Sequence, residues 1–212
     1  MNSNRINLKG LNRVELESWV RSWGEPKYRA KQLMSWIYQK GISDFESMTN
    51  LPKSLRQTLS SQASISQTEI ATSSVSTDDK SIKFLFKLSD GKQVESVLMF
   101  DRQRVTACLS SQFGCAMGCQ FCATGKMGFF RNLTTAEILD QFMGIQKELG
   151  REKPITNVVF MGMGEPFANY KPTMKAIRLL CSQETIGMAE RRITVSTVGL
   201  APQIRRFADE GL

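Results

Sequence analysis

The stretch GCAMGCQFC, residues 114–122, places three cysteines within eight residues at the spacing C-x3-C-x2-C. The thiols belong to Cys115, Cys119 and Cys122, and glycine or alanine stands beside each of the first two. Small residues permit a tight loop, so the three sulfur atoms can be directed at one point. Three thiolates are one ligand short of a closed tetrahedral metal site, which leaves a position for an outside ligand. An open position indicates chemistry as well as structure.

Two other uses of these cysteines are a disulfide framework and a structural zinc site. The N-terminal sequence MNSNRINLKG has no apolar segment that would direct the chain to an oxidising compartment, which argues against disulfides. Zinc needs four ligands, the chain has no histidine, and the nearest further thiol, Cys108, stands seven residues before Cys115. A four-thiolate zinc site would need an unusual spacing, so the pattern favours an iron–sulfur cluster.

The composition predicts one or two packed domains and an RNA partner. The chain has 212 residues, of which 41% are hydrophobic, but no apolar run approaches the roughly 18 residues of a membrane span. We therefore expect a cytoplasmic protein. The net charge is +8, and residues 1–62 hold ten Lys and Arg against five Asp and Glu. This N-terminal excess fits a polyanion such as RNA, although many proteins are mildly basic.

Residues 1–62 predict a helical, RNA-binding-like domain. Asn12 and Glu15 can cap a first helix, Pro26 and Gly41 bracket a second, and a third begins near Leu51-Pro52. The second helix has an apolar stripe of Ala30, Leu33, Met34 and Ile37. Off that stripe lie Lys27, Tyr28, Arg29 and Lys31. This basic and aromatic face suits phosphates and bases, and it equally suits an ordinary solvated surface.

Residues 63–104 predict a linker followed by a β-hairpin. The first part, to about residue 80, is rich in Ser, Thr, Gln and Asp, and we expect a linker with one strand there. Apolar residues then alternate from Ile82 to Leu88, Asp90-Gly91 gives a tight turn, and residues 94–100 return.

Residues 105–212 predict an α/β fold in which strands alternate with helices. Strands are expected at 105–110, 155–161 and 193–197. The capping box of Thr134 and Glu137 opens a helix that ends at Gly150, and further helices cover 171–181 and begin near Pro202. Such a series builds a parallel sheet, with reactive groups at the carboxyl ends of its strands. We expect Cys181 in the core, and Asp140, Glu148, Arg205 and Arg206 on solvated helix faces.

Three segments carry a resemblance to a known family. They are CLSSQFGCAMGCQFCATGKMGFFRNLT (108–134), ITNVVFMGMGEPFANY (155–170) and RRITVSTVG (191–199). The cysteine spacing, with an aromatic residue before the third cysteine, resembles the signature of radical SAM enzymes. The wider segments resemble the RlmN/Cfr family of RNA adenine methyltransferases, and the RlmN branch more closely. The likeness runs from about residue 10 to the last residue.

The resemblance implies two cofactors and the residues that hold them. Cys115, Cys119 and Cys122 would bind a 4Fe–4S cluster, whose open iron binds S-adenosylmethionine (SAM). Gly164 and Glu165, in the loop GMGEP, would contact the SAM ammonium, and Ser196 the SAM ribose. Without the resemblance, the GMGEP loop would be interpreted as an ordinary turn between a strand and a helix, and Ser196 as a helix cap.

The resemblance also implies the reaction. The family uses a methylated cysteine near its C-terminus and a radical made from SAM to methylate C2 of an adenosine in 23S rRNA, and of an adenosine beside the anticodon in tRNA. Cys108 would release the RNA by disulfide formation, and Glu95 would act as a general base on an apolar strand face. Without the resemblance, Cys108 would be interpreted as a small core residue and Glu95 as a solvent-facing residue of the hairpin. A flavodoxin-type protein would supply electrons.

The family continues well beyond residue 212. About three of six expected β/α units are present, and the C-terminal cysteine is missing, so we expect a partial radical SAM barrel from a truncated chain that cannot complete methyl transfer alone. The alternatives are a Cfr-type enzyme that methylates C8, a four-cysteine zinc module that binds RNA, and a folding-impaired remnant.

Overall fold

A computed structural model describes residues 5–150 and 152–212 and divides them into two compact units. Unit 1 comprises the chain up to Gln67 together with Arg178–Met188, and unit 2 comprises Thr68–Ile177 and Ala189–Leu212. The first four residues of the predicted 1–62 domain lie outside the described part. The sequence assigned residues 178–188 to the barrel, whereas their contacts group them with unit 1.

Unit 1 is a small helical unit, as predicted. It contains α1 (Arg13–Ser22), α2 (Tyr28–Met34) followed by a π-helical turn (Ser35–Gln39), and α3 (Lys53–Gln62). Two short strands, β1 (Ile6–Asn7) and β2 (Ala63–Ser64), pair in parallel. Asn12 and Glu15 form the predicted capping box. The predicted stripe is buried, and its members are Ala30, Leu33, Met34 and Ile37.

The predicted basic and aromatic face of α2 is exposed. Tyr28 is 55% exposed, and the Arg29 guanidinium lies over its ring at 4.9 Å. In the turn that follows, the Lys40 ammonium lies 3.4 Å from the centre of the Trp36 ring. Both cations are thus held against aromatic rings, and the Arg29 guanidinium is also ion-paired with Glu25 at 3.3 Å.

Unit 2 is built on a six-stranded sheet with the order β10-β9-β6-β5-β4-β3. The strands are β3 (Glu69–Val75), β4 (Ser81–Lys87), β5 (Gln93–Asp101), β6 (Arg104–Cys108), β9 (Asn157–Phe160) and β10 (Ile193–Val195). Strands β6, β9 and β10 pair in parallel, while β3 to β6 form an antiparallel meander. The parallel α/β arrangement predicted from the sequence is confirmed, and over the described residues the sheet does not close into a barrel.

The predicted hairpin is present as β4 and β5, but it is not a separate element. Because β5 pairs with β6, the hairpin continues the same sheet as the β/α strands. All three predicted strands of the β/α series end earlier in the structure, and β6 ends at Cys108 and not at residue 110. β9 ends at Phe160, which leaves Met161 63% exposed, and β10 ends at Val195.

Helices α5 (Thr135–Leu149), α6 (Tyr170–Cys181) and α7 (Ala201–Ala208) follow β8 (Phe129–Asn132), β9 and β10 along the chain. The Thr134 and Glu137 capping box of α5 is confirmed. The prediction for Asp140 is wrong, since every residue from Thr135 to Phe142 is buried and Asp140 is 3% exposed. The apolar stripe identifies one buried side of a helix, but the first turns of α5 are covered all round. Cys181, expected in the core, is half-buried.

Among the described residues, no helix has the length and apolar character that crossing a lipid bilayer requires.

Gly144 of α5 tests how closely this helix packs on the sheet. A Cβ atom at this position would lie 2.7 Å from Phe86 of β4, whose side chain is fully buried. We therefore expect Gly144→Val to lower the free energy of unfolding by about 1–3 kcal/mol. Urea denaturation measures the change, with Lys147→Val at an exposed position of the same helix as the control. Equal stability of the two variants would contradict the close contact.

Candidate functional site

Three loops meet at one edge of the sheet in unit 2, because the carboxyl ends of β6, β9 and β10 point the same way. The loop after β6 carries the three cysteines, the loop after β9 carries GMGEP, and the loop after β10 carries Ser196. Backbone hydrogen bonds tie these loops together: Gly162 donates to the Leu109 carbonyl at 3.2 Å, and Ser111 to the Met163 carbonyl at 2.8 Å. The sequence predicted this common edge, and the structure brings the loops to it.

The cysteine loop is framed by an antiparallel ribbon that the sequence did not predict. The ribbon consists of β7 (Gln112–Gly114) and β8 (Phe129–Asn132), and a short helix, α4 (Ala123–Lys126), lies between them. Its base is tight: a Cβ at Gly114, which has φ +77°, would lie 2.0 Å from the Gly128 carbonyl oxygen. The same oxygen accepts a 2.9 Å hydrogen bond from the Cys115 amide. Only glycine fits at position 114.

The three thiols of the loop are free, with Cys115 buried and Cys119 and Cys122 half-buried. Phe121, beside them, is 94% exposed. In residues 5–150 and 152–212 no three Cys, Asp or Glu side chains converge closely enough to hold a single metal ion.

The GMGEP loop packs against the chain itself. A Cβ at Gly162 would lie 2.7 Å from the Ser110 hydroxyl, and one at Gly164, where φ is +100°, would lie 2.5 Å from Gln112. Both glycines are therefore required for contact between the loops after β6 and β9. The Glu165 carboxylate is buried and accepts hydrogen bonds from the amides of Phe167 (2.9 Å) and Val198 (2.8 Å). In this structure it joins the loop after β9 to the loop after β10, and its contact with a ligand ammonium stays a prediction.

Glu95 and Cys108 lie on the same face of the sheet. Val97 of β5 is paired directly with Cys108 of β6, and Glu95, two residues before Val97, shares its face. The Glu95 backbone lies at the loop edge, since its carbonyl accepts a hydrogen bond from the Ser110 hydroxyl and its amide donates to Met163 Sδ. The Glu95 side chain is 46% exposed and forms a 3.1 Å ion pair with Lys83. The Glu95 side chain is therefore half-exposed to solvent, as expected if it is an ordinary solvent-facing residue. Its backbone nevertheless lies beside the candidate site.

Cys108 and Ser196 have contrasting surroundings. Cys108 is buried, and burial raises the pKa of its thiol, although a hydrogen bond with the Met161 backbone opposes the shift. Ser196 is exposed directly after β10, and its amide donates to the Phe160 carbonyl at 3.3 Å.

A buried polar network under the loops was not predicted. The Gln141 side chain, fully buried on α5, accepts hydrogen bonds from the Ser96 hydroxyl (2.6 Å) and the Ser110 amide (2.8 Å). It donates to the Ser110 carbonyl at 3.0 Å. Its position between Ile138 and Ile145, three residues after one and four before the other and so on the same helix face, was a signal that this polar side chain is buried. Asn169 similarly donates to the carbonyls of Ser111 and Leu133, both at 2.7 Å.

Arg131 of β8 fixes the ribbon from the other side. Its guanidinium forms a bidentate pair with Glu137 (2.8 and 2.9 Å) and a further bond to Asp90 (2.7 Å). The hydrogen bonds to these two carboxylates raise the pKa of Arg131, and the bond to Arg131 lowers the pKa of Asp90. The β4–β5 turn, the ribbon and the start of α5 are thereby joined by one side chain.

Comparisons with known proteins agree with this geometry. Residues 6–65 match the model "Ribosomal RNA large subunit methyltransferase N-terminal domain", and residues 109–212 match "Radical SAM superfamily". The chain is 43% identical to a "Probable dual-specificity RNA methyltransferase RlmN" of Salinibacter ruber, covering 98% of this chain and 58% of that protein. It is 47% identical to the Thermotoga neapolitana protein of the same name, over 97% of this chain and 60% of that protein. This chain belongs to the RlmN family of radical SAM proteins.

A solved structure supports the assignment to the RlmN family. A radical SAM methyltransferase from Sphaerobacter thermophilus superimposes with a TM-score of 0.88 at 43% identity, over 98% of this chain and 61% of that one. The chain thus spans about three fifths of the length of the relatives it matches.

Membership of the radical SAM family implies a 4Fe–4S cluster and SAM as cofactors. The cysteine loop fits such a cluster, because each of its three free thiols would bind a different iron atom and the ligands need not converge on one ion. Ser196 is exposed at the same sheet edge, and its contact with SAM stays a prediction.

The burial of Cys108 can be tested through the reactivity of its thiol. A raised pKa in the folded state leaves less thiolate at neutral pH, and burial also limits access. We expect iodoacetamide at pH 7.5 to modify Cys108 at least about tenfold more slowly than Cys119 or Cys122 in the metal-free chain. Peptide mass spectrometry measures the rates, and the urea-unfolded chain is the control, in which the difference should disappear. Equal rates in the folded chain would contradict the burial of Cys108.

Proposed function

We propose that this chain is the cofactor-binding part of a radical SAM RNA methyltransferase that methylates C2 of an adenosine in 23S rRNA. One observation carries the proposal: the free thiols of Cys115, Cys119 and Cys122 stand on a loop at the same sheet edge as GMGEP and Ser196. The match to the RlmN N-terminal domain supports RNA as the substrate.

Cys115, Cys119 and Cys122 would hold the 4Fe–4S cluster, and the loops after β9 and β10 would bind SAM. When bound, these cofactors supply a reducing electron and an adenosyl radical. Gly164 brings the loop after β9 against the cysteine ribbon, and the Glu165 carboxylate holds the loop that carries Ser196. Site preorganisation of this kind lowers the cost of orienting a ligand.

Cys108 and Glu95 would serve the RNA-directed steps. Burial raises the pKa of the Cys108 thiol, which favours its protonated form, and Cys108 shares its sheet face with Glu95. Glu95 holds a carboxylate at the loop edge of the same face, where Lys83 orients it. This placement supports a proton-transfer role for Glu95 with the RNA base.

Unit 1 would bind the RNA through the α2 face and the turn that follows it. Tyr28 and Trp36 offer rings on which bases can stack, and the exposed Lys40 over Trp36 offers a charge to phosphates, whereas Arg29 over Tyr28 is ion-paired with Glu25. The tRNA substrate, a flavodoxin-type electron donor and a cytoplasmic location remain predictions.

The proposal can be tested in a chimera. We would join this chain to the C-terminal part of the Thermotoga neapolitana relative that lies beyond the matched segment, and assay rRNA lacking the modification under anaerobic, reducing conditions with SAM. We expect 2-methyladenosine, detected by mass spectrometry of the digested RNA, because the chain supplies the cluster and SAM loops. The control Cys119→Ala should give no product, and Cys181→Ser should retain it.

The position of the methyl group separates the alternatives. Methylation at C8 would assign the chain to the Cfr-type branch. A chimera that folds and binds iron but transfers no methyl group would contradict the proposed function, and a chain that melts without cooperativity would indicate a folding-impaired remnant.

A further inference from the structure

We propose that Gln112 is a positioning residue that couples the cysteine ribbon to the GMGEP loop. Gln112 is the first residue of β7, three residues before Cys115, and its side chain is 2% exposed. None of the roles implied by the family resemblance falls on this side chain. The inference rests on the proposed function only in the step from loop position to SAM binding.

The two ends of the Gln112 amide contact different loops. Its oxygen accepts a 2.8 Å hydrogen bond from the Glu165 backbone amide, in the loop after β9. Its nitrogen donates a 2.7 Å hydrogen bond to the Asn132 side chain, on β8. A single planar amide thus bridges the ribbon that carries the cysteines and the loop expected to hold SAM.

Backbone contacts fit the same arrangement. The Gln112 amide donates to the Met163 carbonyl at 3.1 Å. Gly164 lies directly against the side chain, and a Cβ there would stand 2.5 Å from Gln112 Cβ and 2.7 Å from its Cγ. The missing side chain of Gly164 provides the space that Gln112 fills, so the two residues are complementary in shape as well as in hydrogen bonding.

The connection extends to the third loop through Glu165. The Gln112 side chain accepts a hydrogen bond from the Glu165 amide. The Glu165 carboxylate in turn accepts a hydrogen bond from the amide of Val198, which stands two residues after Ser196. The sequence of contacts from Asn132 through Gln112 and Glu165 to Val198 therefore crosses all three loops. Such a chain of hydrogen bonds, buried at its centre between Gln112 and Glu165, sets the distance between the cysteine ribbon and the groups expected to contact SAM.

Amide hydrogen exchange on the metal-free chain tests the coupling directly. Gln112→Met keeps the side-chain volume and removes both hydrogen bonds, so we expect the Glu165 and Val198 amides to exchange at least about tenfold faster. Asn132→Leu changes only the exposed end of the contact and should also speed exchange at Glu165. Asn132→Asp keeps an acceptor for Gln112 and should restore protection.

The matched control is Gln146→Met. Gln146 also bridges backbone groups in unit 2, accepting from Ile155 and donating to Gly150, but it lies away from the three loops. It should leave exchange at Glu165 and Val198 unchanged. Unchanged exchange in both Gln112→Met and Asn132→Leu would overturn the proposal, as would equal acceleration by the control.

Binding of SAM to the reconstituted chain gives the second readout. We expect Gln112→Met to weaken SAM binding by about tenfold and Gln146→Met to leave it unchanged, even if the two lower the melting temperature equally. Equal weakening by both variants would show a general loss of stability and overturn the positioning role. If the unmutated chain binds no SAM, the proposed function fails, and the exchange experiment alone then decides whether Gln112 couples the loops.

Discussion

Parallel pairing of β6 with β9 and of β9 with β10 is the constraint on which the candidate site depends. Parallel neighbours direct all their carboxyl ends to one edge, so the three loops that follow them meet although they are far apart in sequence. Pairing alone brings loops near each other without fixing their relative positions. That is achieved by glycines at 114, 162 and 164, which allow close contact, and by buried side-chain amides that bridge the backbone.

Local features were predictable from the sequence because short-range chemistry determines them. The capping boxes at Asn12 and Thr134 and the alternation that buries Phe84 and Phe86 needed no tertiary information. The pairing of β5 with β6 was missed because a hairpin pattern does not indicate what its outer strand will contact. Asp140 was misjudged because periodicity identifies one buried side of a helix and cannot show that a second side is covered.

For the candidate site, too, some features were predictable from the sequence and others were not. The cysteine spacing and the family resemblance indicated which residues to examine, and their position at the strand ends followed from the β/α order. The surroundings of each side chain could not be read from the sequence. GMGEP suggested a loop that approaches a ligand, whereas the glycines at 162 and 164 approach the chain's own β6–β7 segment. We expected the Glu165 carboxylate to face the SAM ammonium, but in the structure it accepts hydrogen bonds from two backbone amides.

The most direct test of the central claim is anaerobic reconstitution of the 212-residue chain with iron and sulfide, followed by metal analysis and electron paramagnetic resonance with and without SAM. Three thiols that leave one iron open predict about four iron atoms per chain and a reduced-cluster signal that changes when SAM is added. Cys119→Ala should lose both the iron and the signal. A colourless protein with stoichiometric zinc, or a cluster whose signal is indifferent to SAM, would contradict the account.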